Sequence, residues 1–88
     1  MNQEKEIERA QTELFENGNP FMAETILLEV AKLDNGHACH ELGVLYLHGC
    51  MGLKSNKEKA MFWLEKSVEL GFEKTVATDP YWFKSNAN

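Results

Sequence analysis

The stretch from Gly36 to Gly71 constrains the fold most, because apolar residues recur there at helical spacing on both sides of a glycine-bearing turn. Ala38, Leu42, Leu45, Tyr46 and Gly49 fall at i, i+4, i+7, i+8 and i+11, which places them on one helix face. Ala60, Trp63, Leu64, Ser67 and Gly71 repeat the pattern after the turn Gly49-Cys50-Met51-Gly52. Small and large residues alternate on both faces, so a neighbouring helix can approach at the small positions while the large ones fill the grooves beside them. Gly43 sits inside the first stretch, where glycine costs about 1 kcal/mol relative to alanine. A close helix–helix contact is the expected compensation.

The rest of the chain extends this pattern. Residues 3–16 predict a first helix with Ile7, Ala10, Leu14 and Phe15 as its apolar stripe and early glutamates favoured by the helix dipole. Asn17-Gly18-Asn19-Pro20 stops it, with Gly18 suited to a left-handed cap, Asn19 to an N-cap and Pro20 to a first helical turn. The second helix, residues 20–33, is apolar on most sides and is therefore expected at the centre of the domain. A third helix over 37–48 and a fourth over 57–70, capped by Asn56, complete an all-α fold of four main helices. A cap is expected over 72–84, where Asp79-Pro80 would turn Tyr81, Trp82 and Phe83 back onto the open face of the last helix, and residues 85–88 are expected to fray. A chain that covers its own open face in this way would be a monomer or a weak homodimer.

At 88 residues the chain is one domain at most. Its net charge is −5, with the acidic excess in residues 1–44 and the remainder near neutral. It lacks the basic footprint that phosphate backbones require, which excludes nucleic acid as the expected partner. The N-terminus is charged without an apolar core segment, so no signal peptide is read. No stretch approaches about 20 apolar residues, so no membrane span is expected. Cys39 and Cys50 lie eleven positions apart on a helix, roughly 16 Å, far beyond disulfide reach. Free thiols suit a reducing compartment, and the expected location is cytoplasmic.

The motif Leu42-Gly43-x-x-Tyr46-x-x-Gly49, Gly52-Leu53, Lys59-Ala60-x-x-Trp63-Leu64-Glu65-Lys66-Ser67 and Gly71 resembles a Sel-1-like repeat, a relative of the tetratricopeptide repeat. It departs from that pattern in having two residues between the turn glycines and Ser67-Val68 in place of a paired alanine. Upstream, Ala10-x-x-x-Leu14-Phe15-x-x-Gly18 with Ala23 and Leu27 is similar to a tetratricopeptide helix pair. The resemblance implies a tetratricopeptide-like hairpin over 3–35, a Sel-1-like repeat over 36–71, and a short right-handed α-α superhelix of two stacked hairpins. It also implies a non-enzymatic adaptor or scaffold, or alternatively a small bacterial or phage-type inhibitor or immunity protein that blocks one partner.

In such stacks the first helix of each hairpin lines the concave face where ligands bind. On this chain that face carries Glu4, Glu8 and Gln11 from the first helix and His37, His40, Glu41, Val44 and His48 from the third. A groove of histidines and acids suits a protein or peptide partner of basic or polar character, although the same side chains also read as a solvated stripe. His37, His40 and Glu41 have spacings that can hold a transition metal. His48 lies too far along to complete the set and Cys39 points elsewhere, so no metal or cofactor is expected. No nucleophile pattern or phosphate loop occurs, and no enzyme is expected. Tyr81, Trp82 and Phe83 are the other candidate contact residues, as a cap or as a partner site.

Overall fold

A computed structural model describes residues 2–72. Four helices follow in order: α1 (Gln3–Phe15), α2 (Pro20–Ala31), α3 (Gly36–His48) and α4 (Lys57–Glu69). The described residues form no strand, only an isolated bridge between Cys50 and Leu53. The cap expected over 72–84, apart from Phe72, lies outside the described residues, as do Tyr81, Trp82, Phe83 and the end at 85–88.

Each helix begins at an asparagine. The side chains of Asn2, Asn19, Asn35 and Asn56 accept from the backbone N–H three residues on, at 3.2, 3.1, 3.0 and 3.0 Å. This satisfies one otherwise orphaned donor per helix and contributes about 1 kcal/mol each. Asn35 does more, because its amide also donates to Gln3 Oε1 at 2.8 Å and so ties the start of α3 to the start of α1. The ends are equally local. After α4, the Gly71 and Phe72 N–H groups donate to Val68 and Ser67 carbonyls at 2.9 and 2.9 Å, the paired bonds of a Schellman cap. Between α3 and α4, Cys50 and Leu53 exchange backbone bonds across Met51 and Gly52, both at positive φ. Gly49 carries φ +66, and a β-carbon there would stand 2.7 Å from the Leu53 carbonyl oxygen, so the turn closes only on glycine.

Successive helices pack on one another, α1 on α2, α2 on α3 and α3 on α4. The core runs from Ile7 and Ala10 through Ala23, Ile26, Leu27, Val30 and Ala31 to Ala38, Cys39, Leu42, Leu45 and Tyr46, with Ala60 beyond. The burial qualifies one expectation. α3 shares the centre with α2: it is buried at seven positions from Ala38 to Tyr46, and α2 at six from Pro20 to Ala31. α2 leaves Phe21 54% and Met22 42% exposed, since only its α1 and α3 sides are covered. Tyr46 ties the two helices together by donating its hydroxyl to Glu24 at 2.5 Å. Burial, reinforced by that carboxylate, raises the Tyr46 pKa well above its ordinary value, so the hydroxyl stays protonated.

The α3–α4 contact depends on Gly43. A β-carbon at position 43 would stand 2.6 Å from Leu64 Cδ2 and 3.2 Å from the Leu64 backbone nitrogen. Leu64 is only 2% exposed, so it yields only by displacing its neighbours. For Gly43→Ala, the gain in helix propensity is about 1 kcal/mol, while overpacking costs about 1–3 kcal/mol. The overlap wins: Gly43→Ala should lower the melting temperature by several degrees, since ~1 kcal/mol corresponds to ~4–8 °C in a domain of this size. In a Leu64→Ala background the same substitution should be neutral or stabilising. Equal losses in both backgrounds would place the cost somewhere other than this contact.

A candidate peptide groove between α1 and α3

Two stripes with the same helical spacing face each other. On α1, Glu4, Glu8, Gln11 and Phe15 stand at i, i+4, i+7 and i+11; on α3, His37, Glu41, Val44 and His48 do the same. Between them lies a cavity of about 250 Å³, floored by Ala10, Leu27 and Leu45 and walled by Leu14, Phe15, Val44 and Met51. Of the residues expected from sequence, Gln11, Glu41, Val44 and His48 line it directly. Glu4 and His37 lie farther along the two stripes, outside the lining, where His37 Nδ1 lies 3.1 Å from Glu4 Oε2 and Nε2 lies 3.4 Å from Glu41 Oε1. A neutral imidazole donates to one of these carboxylates and an imidazolium to both. Glu8 lies along the α1 stripe, exposed, between the two ends.

His40 departs from the expected stripe. It is 8% exposed, and its ring lies 5.1 Å from that of Phe72. Phe72 also stacks on His37 at 5.1 Å with the planes 15° apart. The Schellman cap after α4 turns Phe72 back over the start of α3, so it covers both histidines instead of extending the outer face of α4. His40 therefore belongs to the α3–α4 packing and not to the groove.

Among the described residues no three His, Cys, Asp or Glu side chains converge as metal ligands. Both cysteines are free; burial raises the pKa of Cys39 and keeps it a thiol. On α1, Arg9 is held by Glu6 at 3.1 Å, and that ion pair lowers the Glu6 pKa on the exposed side of the helix.

The residues missed in the sequence are the apolar ones. Phe15, expected on the apolar stripe of α1, is 77% exposed at the mouth of the groove. Its spacing from Glu8 carried that information, since i+7 from an exposed glutamate is on the same helix face. Met51, 57% exposed, reaches the same mouth from the α3–α4 turn at φ +43, a backbone conformation uncommon outside glycine.

Because these side chains bury little area, removing them should leave the fold intact. Phe15→Ser and Met51→Ser should each change stability by no more than ~0.5 kcal/mol, measured by thermal unfolding. A loss near 2 kcal/mol for Phe15→Ser would return that residue to the core.

Compared with known proteins, the chain matches no family model, no curated sequence and no solved structure.

Proposed function

We propose that this chain is a non-enzymatic protein-interaction module of the Sel-1-like and tetratricopeptide type, a short right-handed superhelix acting in the cytoplasm as an adaptor. Its binding face is the groove between α1 and α3. The observation that carries the reading is the exposure of Phe15 and Met51 around an apolar cavity, on a domain that places its other groove-facing groups in matching stripes. Exposed apolar side chains gathered around a concavity mark contact sites more often than isolated ones do. An inhibitor would use the same groove, and the activity of the captured partner with and without this chain separates the two roles.

Site-specific photo-crosslinking in producing cells tests the groove. A photoreactive amino acid at position 11, in the groove lining, should trap one or a few discrete proteins, and Phe15→Ser should abolish the adducts. The same group at exposed position 29 on α2 should trap none of them. Adducts of equal yield from both positions, or none from position 11, would overturn the assignment of the groove.

A further inference from the structure

We infer that the occupant of this groove is a basic apolar segment of another protein, with one bulky apolar side chain seated in the cavity and a lysine or arginine two to four residues away over Glu41 and Glu8. The inference rests on the groove reading above and adds the chemistry of its partner. Three features carry it.

Size comes first. A cavity of about 250 Å³ is smaller than the ~300–1,000 Å³ typical of small-molecule pockets. It is larger than a ~150 Å³ apolar cavity that accepts benzene, so a leucine, methionine or phenylalanine side chain fits. Its walls of Leu14, Phe15, Val44 and Met51 offer such a side chain apolar contact, and methionine at the mouth adapts to more than one shape.

Charge comes second. No lysine or arginine lines the cavity, whereas Glu41 does, and Glu8 and Glu4 continue the acidic edge along α1. Of the two cations on α1, Arg9 is occupied by Glu6, and Lys5 does not line the cavity. The described lysines gather elsewhere, at 54, 57, 59 and 66 in α4 and the link before it, apart from Lys5 and Lys32. The one basic side chain in the lining is the His48 imidazole, about 10 Å along α3 from Glu41, so a cation over Glu41 meets no lysine or arginine there. Glu41 has only a loose contact with His37, at 3.4 Å, longer than a good N–H···O bond.

Spacing comes third. Val44 is about 5 Å along α3 from Glu41, and Phe15 is about 10 Å along α1 from Glu8, at 1.5 Å per residue. An extended chain covers ~3.3 Å per residue, so an anchor at the apolar end puts a cation two to four residues away over the acidic end.

Panning the full chain against phage-displayed random dodecapeptides, followed by anisotropy on the enriched sequences, tests this. Enriched peptides should share an apolar residue with a lysine or arginine two to four positions away. Phe15→Ser should weaken them about tenfold, consistent with loss of much of one apolar contact. Glu41→Lys should weaken them about fivefold, and replacing the peptide's cation with glutamate should restore affinity for that variant. Raising salt from about 0.05 M to about 0.5 M should weaken wild-type binding by a similar factor. Enrichment of acidic or uncharged peptides, or indifference to Glu41→Lys, would overturn the basic partner while leaving crosslinking from position 11 intact. Failure of both the panning and that crosslinking would overturn the groove itself.

Discussion

A missing side chain at position 43 lets Leu64 of α4 seat directly against the α3 backbone, and the remainder of the arrangement follows from that approach. With α4 held so close on one side and α2 on the other, α3 becomes the helix that both halves share. Its buried face must then satisfy two neighbours at once, which explains the run of small and large residues from Ala38 to Tyr46. The two faces of α3 that pack leave a third, carrying His37, Glu41, Val44 and His48, turned toward α1. Because α1 packs mainly on α2, it stands off from α3, and the space between them stays open as the groove.

The groove is uneven along its length for a physical reason. At one end Asn35, Gln3, Glu4 and His37 bridge α1 and α3 through polar contacts. These fix the separation of the two helices without filling the space farther along. At the other end no polar contact between described residues of α1 and α3 is comparable, and apolar side chains from α1 and from the turn after α3 stand around the opening. Polar groups set the geometry there, and apolar groups provide the area that a partner would bury.

The helices were legible in the sequence because their signals are local. Asn19, Gly18, Pro20, Asn56 and the spacing of apolar residues fix starts and ends to within one or two positions of those observed. The close contact at Gly43 was legible too, since a mid-helix glycine needs a reason. Burial was less so. α2 is apolar on most sides, but exposure depends on what lies opposite, and among the described residues no helix covers Phe21 and Met22. His40 was read as part of a polar stripe, and only the path of Phe72 after the α4 cap takes it out of solvent. Gln11, Glu41, Val44 and His48 follow from helical spacing together with the resemblance to stacked hairpins, whereas the contribution of Met51 depends on a turn whose backbone the sequence does not specify.

The claim that α3 is the shared centre is tested most directly by native-state amide hydrogen exchange. The slowest amides should lie in α3 between Leu42 and Tyr46, exchanging only through global unfolding, with α1 opening at lower free energy because it packs chiefly on one neighbour. If the slowest amides lay in α2 instead, or if α3 exchanged through a local opening while α2 stayed protected, the central position of α3 would be contradicted.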